Sequence, residues 1–102
     1  MNRYRTRLLY MPYEEVVDVV RSYLKEKLDR TRGTCLTVSS KEFFLRYLGQ
    51  SRFVPCEAKI FWDVLDELIK ENGLRVLLVV DRKCGVAGRR GIKKKVLLRD
   101  RV

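Results

Sequence analysis

The chain has 102 residues, of which 46% are hydrophobic and 35% charged, and its formal net charge is +10. This length favours one domain with a single modest core, and the hydrophobic content excludes an intrinsically disordered chain. No apolar run approaches the ~20 residues of a membrane span, and residues 8–11 are too short for a signal peptide, so we expect a cytoplasmic protein with no membrane partner.

The residue types that most often carry catalysis or bind metals are scarce. Histidine is absent, and Cys35, Cys56 and Cys84 show no CxxC spacing, which argues against a zinc site. We therefore expect no cofactor and no enzymatic activity. Cys35 and Cys56 are interpreted as small buried apolar side chains and Cys84 as a turn residue. High charge with few Asn and Gln is typical of a hyperthermophile.

The first half of the chain predicts an arm, a helix and a short strand. Residues 3–10 alternate between arginine and other side chains, which favours a short strand or an extended arm. Helical spacing of apolar residues follows over 13–30, with charges of both signs on the opposite face. Gly33 is predicted to end this helix. Residues 34–38 are β-prone.

Two further helices have recognisable ends. Ser39 and Glu42 form the spacing of a capping box, which predicts a helix over 40–48 that Gly49 closes. Pro55 begins a helix over 55–71, and Asn72 with Gly73 terminates it.

The last thirty residues predict a β-hairpin with a basic tip. Apolar runs at 75–80 and 96–98 flank a glycine-punctuated turn, and residues 73–102 carry ten basic and two acidic side chains. Lys93 and Lys95 are expected on one strand face and Lys94 on the other with Ile92, one lysine lying at the rim of the core. Seven basic residues fall within fourteen positions: Arg82, Lys83, Arg89, Arg90, Lys93, Lys94 and Lys95.

This order of elements resembles the winged-helix variant of the helix-turn-helix family over roughly residues 12–100. The resemblance rests on element order and spacing, because the family has no strict sequence motif. It implies an α+β fold in a single domain 1–102, with a basic arm at 1–11, a helical core at 12–81 and a wing tip at 82–91. Helices 40–48 and 55–71 would form the helix-turn-helix, beside a small antiparallel sheet.

The third helix departs from the usual basic recognition helix of that family. Its outward face, in which we include Glu57 and Trp62, carries five acids and two lysines. Only its first turn is compatible with a phosphate backbone. The residues expected to contact nucleic acid there are Gln50 and Ser51 for base edges and Arg52 and Lys59 for phosphates, joined by Arg3, Arg5 and Arg7 of the arm. A purely structural role for the turn remains an equal alternative.

The leading hypothesis is a small archaeal-type transcriptional regulator or chromatin-associated factor that binds double-stranded DNA in the nucleoid. The alternative is an interaction module within a replication, transcription or RNA-processing assembly, with Trp62 and Asp66 on its partner surface. Trp62 is also compatible with a structural position, half-buried at the edge of the core. Structured RNA as the ligand and a homodimer through residues 1–30 are left open.

Overall fold

The helices begin and end where the sequence predicts them, while the two strands of the hairpin are longer than predicted. The computed structural model describes residues 7–83 and 90–99. Their elements are α1 (Tyr13–Arg30), β1 (Cys35–Ser39), α2 (Ser40–Leu48), α3 (Pro55–Glu71), β2 (Leu74–Lys83) and β3 (Arg90–Arg99). Within these residues the predicted α+β class, with three α-helices and an antiparallel sheet, is confirmed.

The three strands form one antiparallel sheet in the order β1-β3-β2. β3 is central, so β1 and β2 are the two edge strands. The β2–β3 ladder continues as far as the pairs Arg82–Gly91 and Lys83–Arg90. Apolar periodicity could not predict this extension, because the distal part of the hairpin is charged.

The core lies between the helices and one face of the sheet. Tyr23, Phe43 and Phe61 contribute fully buried rings from the three helices, and Leu97 contributes a buried side chain from β3. The rings of Phe43 and Phe61 are stacked with their centroids 4.6 Å apart. Offset aromatic packing of this kind stabilises the contact beyond the burial of area alone.

The predicted capping residues are confirmed at α2 but not at α1. The Ser39 hydroxyl accepts the Glu42 amide, and Gly49 takes a left-handed φ of 65° after α2. α1 ends at Arg30, before Gly33, so the expectation that Gly33 ends it is wrong. The Arg99 guanidinium of β3 donates at 2.8–3.0 Å to the carbonyl of Leu28 in the last turn of α1 and to those of Thr31 and Gly33 after it.

Two other expectations about local structure are wrong. Residues 8–10 form a 3-10 turn rather than a strand, because Leu8 is buried and its carbonyl accepts the amide of Met11. Cys35 and Cys56 are exposed free thiols, not buried apolar groups. The predictions for residues 3–6 and Cys84 lie outside the described residues.

Candidate nucleic-acid interface

The N-terminal end of α3 and the basic end of the hairpin lie at the same end of the molecule. The Trp62 indole, in the second turn of α3, donates to the carbonyl of Ile92 at 3.2 Å. One turn further along α3, Asp66 binds Lys95 at 2.7 Å. Moving toward the start of α3 therefore means moving along β3 toward Arg90, where the hairpin is most basic.

The predicted basic residues of the hairpin are distributed unevenly. Arg82, Lys83 and Arg90 occupy the distal rungs of the ladder, and Arg89 lies outside the described residues. Lys93 is exposed and Lys94 is partly buried. The ladder skips Lys93, since Val80 pairs with Lys94 and Asp81 with Ile92.

This shift in register corrects the predicted faces of β3. Ile92 packs against the core, whereas strict alternation had placed it on the face of Lys94. One residue inserted into a strand reverses the alternation on one side of the insertion. The hairpin therefore turns its exposed Lys93 away from the core while keeping Ile92 in contact with it.

Lys95 is a structural lysine rather than a phosphate ligand. Only 6% of it is exposed, its ammonium binds Asp66 at 2.7 Å, and the same nitrogen lies 5.2 Å from the centroid of the Trp62 ring. An ammonium above an aromatic face is attracted by the negative charge of the ring surface. The expectation that one lysine of this strand lies at the rim of the core applies to Lys95, which the structure removes from the set accessible to DNA.

A buried polar network fills the turn before α3. Glu57 is fully buried, and its carboxylate accepts Arg7 at 2.7 Å and the Val54 amide at 3.0 Å. The buried Gln50 donates to the Glu57 carboxylate at 3.4 Å, and its carbonyl accepts the Leu8 amide at 3.1 Å. The network joins the chain entering α1 to the first turn of α3.

These contacts change the assignments of Gln50 and Arg7. The Gln50 amide is turned inward, so the expected contact with base edges does not fit its position. Arg7 is about one-third exposed but is held by Glu57. Arg3 and Arg5 lie outside the described residues.

Three predicted contact residues at this end remain on the surface. Ser51 and Arg52 are exposed in the turn, close to the positive end of the α3 dipole. Lys59 is exposed one turn further on, and its ammonium binds Asp63 at 2.9 Å. An exposed i, i+4 pair of this kind is weak and is readily exchanged for another anion.

The structure changes the assignment of Trp62 on the predicted partner surface of α3, while Asp66 stays partly exposed. Trp62 is buried, with its indole nitrogen bonded to Ile92, and the Asp66 carboxylate is taken by Lys95. Glu57, also assigned to the outward face, is internal. Trp62 therefore does not present its indole nitrogen to a partner, whereas the Asp66 side chain is 45% exposed beside Lys95.

The exposed acids of α3 border a groove between α1 and α3. The groove has a volume of about 730 Å³, and apolar side chains that include Val17 and Ile60 form its floor. Asp63, Glu67 and Glu71 lie along its α3 side at intervals of four residues, which places them in one row. The negative charge of α3 is thus concentrated on the side that faces α1, away from β3.

Two tyrosine–carboxylate contacts hold α2 against α1. The Tyr23 hydroxyl donates to Glu42 at 2.8 Å, and Lys27 binds the same carboxylate at 3.0 Å. Burial alone would raise the pKa of Glu42, but the hydrogen bonds from Tyr23 and Lys27 outweigh it and lower that pKa. Burial and the contact with Glu26 raise the pKa of Tyr47 to about 12.

Sequence reasoning missed Glu57 and Tyr23, two internal polar residues. The signal for Glu57 is its place three residues after Val54, the N3 position from which a carboxylate can accept the amide that precedes the helix. No comparable local signal marks Tyr23, whose hydroxyl partners are brought to it by the tertiary fold.

No protein-family model, curated protein or solved structure matches the chain. Among residues 7–83 and 90–99, no helix is long and apolar enough to cross a membrane. In the same ranges, no three His, Cys, Asp or Glu side chains are grouped as metal ligands would be.

Proposed function

We propose that the protein is a winged-helix protein that binds double-stranded DNA through the end of the molecule where the first turn of α3 meets the distal hairpin. The observation that carries this proposal is the alignment of α3 with β3. Because Trp62 contacts Ile92 and Asp66 contacts Lys95, the N-terminal end of α3 and the basic rungs of the hairpin lie at the same end of the molecule.

The distribution of charge supports the same end of the molecule. Arg52 and Lys93 are exposed there, and the backbones of Arg82, Lys83 and Arg90 occupy the adjoining rungs of the ladder. The acids Asp63, Glu67 and Glu71 border the α1–α3 groove instead. A duplex contacting the tip of α3 and the hairpin therefore avoids most of the negative charge on the helix.

Salt dependence combined with charge-matched variants tests this proposal. One variant replaces Arg52, Arg90 and Lys93 with Gln, and the control replaces Lys25, Arg32 and Lys70 with Gln. All three control side chains are exposed and lie toward the other end of the molecule, near the C-terminal ends of α1 and α3. Both variants lower the net charge equally.

The first variant is expected to weaken duplex binding and to reduce the log–log salt slope by up to about 3, because each lost phosphate contact removes roughly 0.9. The control is expected to keep the slope of the unmodified protein. Equal losses in the two variants would mean that net charge alone drives binding. Binding that does not respond to salt would refute the proposal. Competition by duplex RNA equal to that by duplex DNA would reassign the ligand to nucleic acid of either kind.

The α1–α3 groove favours a second function as a docking site for a partner protein. Its apolar floor and the acidic row formed by Asp63, Glu67 and Glu71 complement an amphipathic helix with leucines on one face and lysines beside them. A synthetic Leu/Lys helix serves as the probe.

Substitution of those three acids by Asn or Gln is expected to weaken peptide binding without weakening duplex binding, since the loss of Asp63 frees Lys59. Equal peptide binding by the triple variant and the unmodified protein would remove the groove from consideration. This function would act beside DNA binding, since the two surfaces do not share residues.

A further inference from the structure

The edge strand β2 exposes four consecutive apolar residues. Val76, Leu77, Leu78 and Val79 are 42%, 53%, 55% and 42% exposed. β3 occupies one side of β2, and no described strand occupies the other. An exposed apolar edge of this kind is a template for pairing with another chain.

The faces of these residues follow from their cross-strand partners. Val76 pairs with Leu97 and Val79 with Lys95, and both partners are buried on the side of the sheet that carries the helices. Directly paired residues share a face, so Val76 and Val79 both lie on the helix side. Leu78 pairs with Val96, which lies on the other side, and the register shift leaves Leu77 unpaired beside it.

Residues 76–79 have the same residue types, similar exposed fractions and the same sheet faces when they are read in either direction. Their order is Val-Leu-Leu-Val, and their exposed fractions rise and fall almost equally from the centre. Two copies could pair through antiparallel β2 edges related by a two-fold axis perpendicular to the sheet, level with the Leu77–Leu78 peptide. Val76 of one copy would then lie opposite Val79 of the other. Such an axis requires exchanged residues to lie on the same face. Residues three apart in a regular strand do not, but the register shift places these two valines together.

A shallow groove beside β2 also fits a second copy. Its volume is about 400 Å³, and it is lined by three apolar residues, Ile69, Leu74 and Val76, and three charged ones, Asp66, Lys70 and Lys95. In the two-fold arrangement, Val79 of the second copy would lie opposite Val76 at the mouth of this groove. Apolar contact would therefore extend beyond the strand edge.

We propose that two copies of the chain pair through antiparallel β2 edges into a continuous six-stranded sheet. The four side chains together leave roughly 300 Å² of apolar surface exposed, which is at the lower end for a functional patch. The interface is correspondingly small, and the dimer is expected to dissociate at about micromolar concentration. Because each copy carries a net charge of +10, added salt should strengthen the dimer by screening repulsion.

Sedimentation velocity over about 1 to 200 µM tests the proposal in the absence of nucleic acid. The unmodified protein should shift from monomer to dimer, and the shift should begin at a lower concentration when salt is raised. Leu78→Lys should remain monomeric. The matched control is Leu45→Lys, because Leu45 is 52% exposed on α2 and should be equally tolerant of lysine; this variant should dimerise normally.

Three outcomes would overturn the proposal: a protein that stays monomeric at the highest concentration, a dimer that survives Leu78→Lys, or equal loss in the Leu45→Lys control. Circular dichroism checks that each variant is folded. Because this test involves no DNA, its failure would leave the proposed DNA-binding surface untouched.

Cysteine cross-linking tests the register independently and also applies if Leu78→Lys fails to fold. In a background with Ser at the native cysteine positions, Val76→Cys and Val79→Cys are prepared as separate proteins. Opposed residues in an antiparallel pair are within disulfide reach. A disulfide is expected when the two variants are mixed and not when either is oxidised alone. Cross-linking within one variant, or none in the mixture, would refute this pairing.

Discussion

Replacing Glu57 with glutamine should lower the free energy of unfolding by about 2 to 3 kcal/mol. The side chain is fully buried, and it accepts hydrogen bonds from Arg7, Val54 and Gln50 at 2.7, 3.0 and 3.4 Å. Glutamine has the same shape and retains one oxygen for the Val54 amide. Placed at Oε1, that oxygen would also still accept Arg7, but the negative charge would be lost and the amino group would face the Gln50 amide.

The magnitude follows from the lost charge-assisted bond and the donor left unpaired. A hydrogen bond to a charged group contributes about 1.5 to 3 kcal/mol, and breaking a fully buried ion pair costs about 3 to 5 kcal/mol. The upper range does not apply here because the Arg7 side chain is 38% exposed and can be hydrated once Glu57 is gone. In a domain of this size, a loss of 2 to 3 kcal/mol lowers the melting temperature by roughly 10 to 20 °C.

Denaturant unfolding followed by circular dichroism at neutral pH measures this loss. Glu67→Gln is the matched control, because Glu67 is an exposed acid on the same helix and its replacement should cost less than about 0.5 kcal/mol. A double-mutant cycle with Arg7→Met should return a coupling energy above about 1 kcal/mol. If the free energy of unfolding of Glu57→Gln lies within about 0.5 kcal/mol of that of the unmodified protein, the reasoning about this network is refuted.

Three further predictions concern the sheet and the helix contacts. Lys95→Met should lower stability by about 1 kcal/mol through loss of the Asp66 pair, yet leave the salt slope of duplex binding unchanged in the same titration. Because the pKa of Glu42 is lowered in the fold, its carboxylate stabilises the protein above pH 4.5, and this stabilisation is lost as the pH falls below that value. Glu42→Gln should therefore reduce the fall in the free energy of unfolding that is measured between about pH 7 and pH 3. Gly73→Ala should cost about 1 to 2 kcal/mol in thermal unfolding because Gly73 has a φ of 67°, whereas Gly33→Ala should cost little.

Local signals were sufficient to predict the helices. Ser39, Gly49 and Pro55 each act within a few residues, through a cap, a left-handed turn and a fixed φ, and their effects do not depend on the rest of the fold. The end of α1 at Arg30 was predicted correctly, but the role given to Gly33 was wrong, because Thr31 caps the helix and the Leu28 carbonyl accepts Arg99, which lies 69 residues after Arg30 in the sequence. Such a contact leaves no trace in the local sequence.

The candidate site was predicted less well than the fold, and the errors share a cause. Gln50, Glu57 and Lys95 are polar, and polarity was interpreted as exposure. Each is buried because a partner from a distant segment completes its hydrogen bonds, as Arg7 does for Glu57 and Asp66 for Lys95. The general position of the basic residues could be predicted from the sequence charge. Which of them can contact a ligand could not, because that depends on ion pairs and hydrogen bonds formed in the tertiary fold.

The alignment of α3 with β3 also orients the charges along α3. Arg52 and Lys59 are exposed at its N-terminal end, while the row Asp63, Glu67 and Glu71 continues toward its C-terminal end. A molecule polarised in this way experiences a torque in the field of a polyanion before any contact is made. Its rotational search would be shortened, so the association rate, rather than the lifetime of the complex, should carry most of its dependence on ionic strength.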